Sequence, residues 1–243
     1  MSNTLEGARD WRAFWNSMDN CIAADEPLMQ VGRTLKGLPV PAVEMEIVIG
    51  LVAETLELGP NDRLLDLCCG NGLATRPLAA RCAQAVGVDY SDRLIDLARA
   101  QATAPNLSYR VGSAEDLAVI DFGDFEPTKL CMNMCLQHFR VASFETVLQG
   151  LGRWPGAVRR LCLTDLPDAD LVGGFYDTPE RLAEFHRRRA EGTELLGTWW
   201  RREEVAELLA AHGYEASFLT PDPRRSTTRY RFDVVGVLAG PRA

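Results

Sequence analysis

The segment Arg63–Thr75, RLLDLCCGNGLAT, most constrains what this 243-residue chain can fold into. Its first part, from Leu64 to Leu67, is a short and mostly apolar run, which is typical of a strand buried in a parallel sheet. Gly70-Asn71-Gly72 then predicts a tight turn where a ligand can approach bare backbone. Helix signals begin at Leu73. A strand, a glycine turn and a helix in this order are typical of a nucleotide-like ligand site at the carboxyl edge of a sheet.

The rest of the chain alternates apolar runs with helical periods, which predicts an α/β fold with a mostly parallel sheet. The last two predicted strands, 214–219 and 230–238, are separated only by residues 220–229, whereas a parallel crossover needs about a dozen residues or more. We therefore expect them to be antiparallel neighbours. The other predicted strands are 63–68, 85–89, 107–111, 129–134 and 160–164. The predicted helices are 42–58, 74–82, 92–103, 143–151, 179–191 and 202–212, with a further helix face at Trp11, Phe14, Trp15 and Met18 and loops at 29–34 and 37–41.

Composition limits the class of protein. The net charge of -8 argues against broad nucleic-acid binding. No apolar run reaches the length of a membrane-spanning helix, and the first residues lack a signal-peptide pattern. The seven cysteines form no CxxC pair and no cluster with zinc spacing, so we expect reduced, mostly buried thiols. The sequence therefore predicts a cytoplasmic protein with no metal, no membrane association and no nucleic-acid partner.

An acidic residue, Asp89, ends the second predicted strand, 17 residues after Gly72. A carboxylate at this position suits hydrogen bonding to the two hydroxyls of a ribose, in either NAD or S-adenosylmethionine. Two features separate these cofactors. The dinucleotide fingerprint has a third glycine where this chain has Thr75, and the dinucleotide fold lacks an antiparallel last strand. S-adenosylmethionine is therefore the expected cofactor.

Four segments resemble the motifs of class I S-adenosylmethionine-dependent methyltransferases. They are LLDLCCGNG at 64–72, VGVDYS at 86–91, GSAEDL at 112–117 and LQHF at 136–139. The resemblance covers roughly residues 42–165, and the strand pair at 214–238 agrees with it. It implies a Rossmann-like seven-stranded sheet, mostly parallel with an antiparallel last strand, and helices on both faces.

The resemblance also implies a single methyltransferase domain over residues 1–243. We expect a helical N-terminal cap at 1–41 and a cofactor-binding core at 42–165. A lid or substrate insertion should follow the fifth strand at 166–200, and a closing helix and strand pair should occupy 201–243. The oligomeric state is expected to be monomer or homodimer.

Residue roles follow from the resemblance. Gly70 and Gly72 would let the backbone meet the methionine and ribose parts of the cofactor, Asp89 would hold the ribose hydroxyls, and Tyr90 would flank the adenine. The remaining cofactor candidates are Asp66 in the first motif, Ala114 for an adenine ring nitrogen, Ser113 or Glu115 for adenine N6, and Asn133 for the methionine end. Small residues are usual at the paired Cys68-Cys69, for which we favour a packing role over thiol chemistry.

Methyl transfer is an in-line displacement, so holding the reactants in line can supply about 7–11 kcal/mol of the barrier, and a base adds typically about 10²–10⁴-fold. His138 is the best candidate base, although a histidine bonded to backbone is the alternative. Asp165 could orient the acceptor or cap a loop. Arg33 could pair with a carboxylate of cofactor or substrate, or be an ordinary surface arginine. Trp11 and Trp15 are expected to pack rather than bind, although a lid role also fits their position.

The insertion at 166–200 is expected to set substrate identity. Its candidate substrate residues are aromatic or imidazole side chains: Phe175, Tyr176, His186, Trp199 and Trp200. Arg187-Arg188-Arg189 could attract an anionic substrate, but a solvated helix face is favoured.

The sequence thus predicts transfer of a methyl group to an oxygen or nitrogen atom of a small-molecule metabolite, sugar or natural-product intermediate. The alternatives are a non-methylating cyclase or isomerase, or a scaffold subunit, that uses the same cofactor pocket. Formation of S-adenosylhomocysteine would separate the first function from both others.

Overall fold

The computed structural model describes residues 5–6, 10–17, 26–194 and 196–240, so the predicted helix position Met18 lies outside the described residues. In chain order the strands are β1 (Thr34–Leu35), β2 (Leu38–Pro39), β3 (Arg63–Leu67), β4 (Gln84–Asp89), β5 (Leu107–Val111), β6 (Lys129–Asn133), β7 (Arg160–Pro167), β8 (Tyr214–Phe218) and β9 (Arg231–Leu238). The helices are α1 (Trp11–Ser17), α2 (Pro27–Gln30), α3 (Ala42–Thr55), α4 (Thr75–Ala79), α5 (Asp92–Gln101), α6 (Val141–Gly150), α7 (Val172–Phe175), α8 (Pro179–Ala190) and α9 (Arg202–Ala211).

Strands β3 to β9 form a seven-stranded sheet in the order β5-β4-β3-β6-β7-β9-β8. Strand β9 runs antiparallel to both of its neighbours, β7 and β8, and the remaining pairs are parallel. The predicted mostly parallel sheet with an antiparallel last strand is therefore confirmed. The chain leaves β3 towards β4 on one side and later returns to β6 on the other, so the strand order reverses beside β3. Such a reversal opens a crevice at the carboxyl ends of the strands.

The sheet is buried on both faces, because successive residues of β3 point to opposite sides. Leu64 packs with Val48 and Val52 of α3. Leu65 packs on the other side in the main core, which includes Phe144 of α6 and Val205 of α9. Helices therefore cover both faces, as predicted. No helix in the described part of the chain is long and apolar enough to cross a membrane.

The structure corrects several predicted boundaries. Residues predicted as loop form α2 and the β1–β2 hairpin, whose two turn residues, Lys36 and Gly37, have φ of 52° and 78°. This backbone is the one that two-residue hairpin turns need. Helix α4 ends at Ala79 rather than at 82, helix α3 ends at Thr55 rather than at 58, and α7 was not expected.

Strand β7 is longer than predicted. It continues past Thr164 to Pro167, with a register shift against β9 between Leu163 and Leu166. Asp165 lies at this irregularity, with φ of 60°, and its backbone N–H donates to the Asp233 carboxylate at 2.8 Å. Asp165 was predicted to lie beyond the strand. That prediction is wrong, because a short apolar pattern in a sequence gives no sign of a bulge.

Candidate functional site

A cavity lies at the carboxyl ends of β3, β4 and β6, at the strand-order reversal. Seven of the predicted site residues lie in its wall, from both the cofactor and the catalytic candidates: Arg33, Asp66, Gly70, Asp89, Tyr90, Asn133 and His138. Residues that sequence reasoning had not assigned to a site complete the wall: Trp15, Val31, Met45, Cys68, Cys69, Asn71, Leu73, Ala74, Leu94, Met134, Cys135 and Phe139.

The glycine turn has no space for side chains. Gly70 and Gly72 have φ of 57° and 77°. A Cβ atom on Gly70 would lie 2.8 Å from Val31 Cγ1, and one on Gly72 would overlap the Tyr109 hydroxyl oxygen and lie 2.9 Å from Ala102 Cβ. Bare backbone is therefore required at both positions.

Asp89 ties the glycine turn to the end of β4. Its Oδ2 accepts from the Gly70 N–H at 3.0 Å, and its Oδ1 accepts from the Ser91 N–H at 2.9 Å. Burial raises the pKa of Asp89, while these backbone N–H groups oppose that rise. The carboxylate is thus fixed in orientation at the cavity wall.

Asp66 lies beneath the glycine turn and joins β3 to α4. Its Oδ2 accepts from the Thr75 hydroxyl at 2.6 Å, and the Cys131 thiol is 3.3 Å from its Oδ1. Burial raises the pKa of Asp66 to about 6. Thr75, which replaces the third glycine of a dinucleotide site, therefore serves as a hydrogen-bond donor to this carboxyl group, a partnership that the sequence analysis missed.

Residues 27–33 cover the glycine turn. Asn71 Nδ2 donates to the Pro27 carbonyl at 2.9 Å and to Gln30 Oε1 at 2.7 Å, and Val31 packs on Gly70. This segment lies within the predicted N-terminal cap at 1–41, but its individual contacts were not predicted, because most of them involve backbone atoms.

Arg33 ends this covering segment and reaches down to the sheet. Its Nη1 donates to Asp165 Oδ2 at 2.8 Å, and its Nη2 donates to Asn133 Oδ1 at 2.6 Å. The Thr164 hydroxyl donates to the same Asn133 oxygen at 2.7 Å. Because that oxygen already accepts two hydrogen bonds, the Nδ2 group of Asn133 is the part of the amide that can bind a ligand.

Asp165, a predicted catalytic residue, lies behind Arg33 and not in the cavity wall. Its carboxylate also accepts from Arg225 Nη2 at 2.5 Å and from the Thr227 hydroxyl at 2.7 Å. Burial would raise the pKa of Asp165, but Arg33 and Arg225 hold it well below its usual range. Asp165 therefore stays ionised and bonded, and it can orient an acceptor only indirectly, through Arg33.

His138 lies in the short 3₁₀ turn Leu136–His138, directly after β6. Its imidazole lies against Trp11, with ring centroids 4.1 Å apart, and edge-on to Trp15 at 5.8 Å. The turn is held from behind, because the Trp200 indole N–H donates to the Leu136 carbonyl at 3.0 Å and the Thr198 N–H donates to the Gln137 carbonyl at 2.8 Å.

Three residues other than glycine have left-handed backbone conformations at the ends of neighbouring strands. They are Cys68 after β3, Met134 after β6 and Asp165 in β7, with φ of 61°, 53° and 60°. Such conformations are costly and concentrate at functional sites. The Cys68 thiol is hydrogen-bonded to Cys135, and this bond and burial raise the pKa of Cys68. That environment favours the packing role over thiol chemistry.

The predicted adenine-side residues of the third motif do not reach the cavity wall. Ser113 and Glu115 flank the buried Ala114, and the Ser113 hydroxyl accepts from the Glu115 N–H at 3.2 Å. Their roles stay predictions.

The predicted substrate residues of the insertion also lie away from the cavity wall. Tyr176 and Trp199 are buried with Phe185 in a separate hydrophobic cluster, and Phe175 packs against it. Trp200 belongs to the main core, and His186 is exposed beside Phe185. None of these five side chains lies in the cavity wall, and their role in substrate binding stays a prediction, because sequence alone cannot distinguish aromatic residues of a core from those of a pocket.

Comparison with known proteins gives a family match for the part of the chain that contains the glycine turn. A family model described as a methyltransferase domain matches residues 64–154. The uncharacterized methyltransferase sll0829 of Synechocystis sp. is 36% identical over 118 residues, which cover 48% of this chain and 52% of that protein. A 23S rRNA (uracil(1939)-C(5))-methyltransferase, RlmD, of Pectobacterium carotovorum is 37% identical over 94 residues, covering 36% of this chain and 21% of that protein. The chain thus spans about half or less of the length of these relatives.

The fold as a whole is also found in solved structures. Magnesium protoporphyrin IX methyltransferase (ChlM) from Synechocystis PCC 6803, with bound SAH, superimposes with a TM-score of 0.64 at 15% identity. The match covers 94% of this chain and 98% of that one. Residues 64–154 thus match the methyltransferase-domain family, and the seven-stranded sheet that contains them has the Rossmann-like fold of class I, S-adenosylmethionine-dependent methyltransferases.

Proposed function

We propose that the protein transfers a methyl group from S-adenosylmethionine to an oxygen or nitrogen atom of a small molecule. One observation carries this proposal: a single cavity wall contains both the glycine turn with Asp89 and the imidazole of His138. The first group of residues suits the cofactor, and the second suits the removal of a proton from an acceptor.

The residues present fit this cofactor. Gly70 has positive φ and no side chain, so a ligand on the open side of the turn meets bare backbone. Asp89 would hold the ribose hydroxyls and Tyr90 would flank the adenine. Arg33 and the Nδ2 group of Asn133 would bind the methionine carboxylate, since both present N–H donors in the cavity wall.

When bound, S-adenosylmethionine supplies a methyl carbon on a positively charged sulfur, which keeps the electron pair of the broken carbon–sulfur bond. His138 would accept the proton of the acceptor, because imidazole titrates near neutrality. The ionised Asp165 holds Arg33 in place. Arg33 would therefore keep the bound cofactor aligned with an acceptor beside His138. Trp15 and Phe139 would exclude water from the acceptor end.

Several features support a small-molecule acceptor in the cytoplasm. The net charge of -8 disfavours a polyanionic partner such as RNA or DNA. The cysteines of the described ranges are free thiols, which suits a reducing compartment. We expect a monomer or homodimer, with acceptor binding confined to this cavity.

Calorimetry of S-adenosylhomocysteine binding tests the cofactor site. The wild type should bind with micromolar affinity, Asp89→Ala should lose binding, and Asp96→Ala, which alters an exposed carboxylate on α5, should not. Unchanged binding by Asp89→Ala would contradict the site. Formation of S-adenosylhomocysteine from S-adenosylmethionine in the presence of acceptor candidates then distinguishes methyl transfer from a cyclase, an isomerase or a scaffold subunit.

A further inference from the structure

The N-terminal segment is hydrogen-bonded to the insertion at 166–200. Leu5 and Trp199 exchange two backbone hydrogen bonds of 2.8 Å each. A Cβ atom on Gly197 would lie 2.9 Å from Trp11 Cζ2, so α1 packs directly on glycine backbone of the insertion. In addition, Glu6 Oε1 accepts from the Val141 N–H at 2.9 Å, at the start of α6. These contacts fix where α1 lies.

Helix α1 then presents an aromatic face to the cavity. Trp15 lies in the cavity wall, and its Cη2 would be 3.2 Å from a Cβ on Gly32, so the indole rests on glycine backbone there. Trp15 also meets His138 edge-on, and the Trp11 ring lies tilted against the same imidazole, with ring centroids 4.1 Å apart. The candidate base is thus set in an aromatic wall that comes from α1 and not from the insertion.

The surroundings of His138 restrict the acceptor. Trp15, Met134 and Phe139 give this end of the cavity an apolar character that suits a planar ring. Among the described residues of the wall, the carboxylates are Asp66 and Asp89, and both already accept hydrogen bonds. These hydrogen bonds hold the two carboxylates at the glycine turn and at α4, whereas the imidazole that follows β6 offers a hydroxyl group the base that it needs.

We propose that the acceptor is a planar aromatic molecule with a hydroxyl group, whose ring packs on Trp15 and whose hydroxyl meets His138. The inference rests on the proposed function and deepens it by naming the substrate class. The hydroxyl proton passes to the imidazole as an electron pair of the oxygen forms the bond to the methyl carbon. The pair of the carbon–sulfur bond stays on sulfur. Trp15 is then the residue that determines acceptor specificity.

The test uses protein saturated with S-adenosylhomocysteine and three matched probe pairs: phenol with cyclohexanol, catechol with cyclohexanediol, and naphthol with decahydronaphthol. Binding is measured by saturation-transfer NMR and calorimetry. At least one aromatic probe should bind more tightly than its saturated partner. Trp15→Leu should weaken that binding roughly tenfold, and Trp15→Phe should retain most of it, because ring stacking and lost apolar area together are of this order. Arg12→Gln, an exposed change on the same helix, should leave it unchanged.

The outcomes separate the two proposals. Failure of the wild type to bind S-adenosylhomocysteine would overturn the proposed function itself. If that binding is intact, the acceptor inference is overturned when no aromatic probe binds, when the saturated partners bind equally well, or when Trp15→Leu binds the aromatic probes as the wild type does. Retention of S-adenosylhomocysteine binding by Trp15→Leu and Trp15→Phe shows that each variant is folded.

Discussion

Nη1 of Arg33 lies 2.8 Å from Oδ2 of Asp165, although the two residues are 132 positions apart in the sequence. The ion pair joins the segment above the cavity to the sheet below it. The two side chains are 10% and 0% exposed, so water screens the pair very little. Arg225 shares the same carboxylate from the β8–β9 connection. Stability and the shape of the cavity are therefore coupled at this point.

Replacing Arg33 with alanine should destabilise the protein by roughly 3 kcal/mol, the lower end of the range for breaking a buried pair. The loss should stay at that end because Asp165 keeps its bonds to Arg225 and Thr227. Urea denaturation measures the free energy of unfolding. Arg201→Ala removes an exposed pair with Asp170 and should cost about 1 kcal/mol or less. Equal effects of the two changes would contradict the buried character of the Arg33 pair.

The Asp66 carboxyl group should make stability depend on pH. Its pKa in the folded protein is about 6, against 3.8 without the burial that raises it. Between these values the folded state holds the proton and the unfolded state has lost it, so its stabilising contribution is full below pH 4 and falls as pH rises to 6. Relative to Asp66→Asn, the wild type should lose roughly 3 kcal/mol across this window. A difference between the two proteins that does not change with pH would contradict this expectation.

Gly72→Ala should cost more stability than the left-handed backbone alone explains. Gly72 and Gly123 both have positive φ, 77° and 56°, but a Cβ on Gly123 would meet nothing within 4 Å. Gly123→Ala therefore measures the backbone strain, of order 1–3 kcal/mol. Gly72→Ala should add a steric cost, because Tyr109 is held in place by its hydrogen bond to the Ala102 carbonyl at 2.7 Å. Thermal or urea unfolding measures the loss of stability in both variants. Similar losses would show that the Tyr109 side chain moves aside at no cost.

Trp200→Phe should disturb the turn that carries His138. It removes the indole N–H that donates to the Leu136 carbonyl, which keeps the Phe139 N–H as its donor, so the cost is that of one hydrogen bond, roughly 0.5–1.5 kcal/mol. Trp199→Phe is the matched control, because its indole nitrogen has no hydrogen-bond partner among the described residues. The chain has three histidines, so the imidazole NMR signals of His138 can be assigned by substitution. Those signals should shift in Trp200→Phe and not in Trp199→Phe; the reverse pattern would sink the prediction.

The architecture was predictable because its signals are local. Each strand and helix of the cofactor half shows its own periodicity, and the short 220–229 connection was enough to require β9 to be antiparallel to β8. Gly70 and Asp89 were found in the same way, since a tight turn and a strand end are readable from a few neighbouring residues.

The acceptor side was not predictable, because its contacts join distant parts of the chain. Nothing in the sequence near Pro27 indicates that its carbonyl accepts from Asn71, and the pattern around Trp15, which lies in the cavity wall, fits packing as well as a lid. Trp199 and Trp200 show the converse, because both were predicted to bind substrate and neither lies in the cavity wall. Both are fully buried, and a buried indole has the same sequence signature as one that binds a ligand.

The bridge between Leu5 and Trp199 has a practical consequence for protein engineering. Exchanging the insertion alone should not transfer acceptor preference from a homologue, because α1 and its Trp15 would remain those of the recipient and would meet a foreign insertion. The two segments behave as one exchangeable module, although nearly the whole sheet lies between them in the chain. A chimera that replaces the N-terminal segment and the insertion together should inherit the acceptor selectivity of the donor protein. Exchange of either segment alone should leave α1 without its matching contacts.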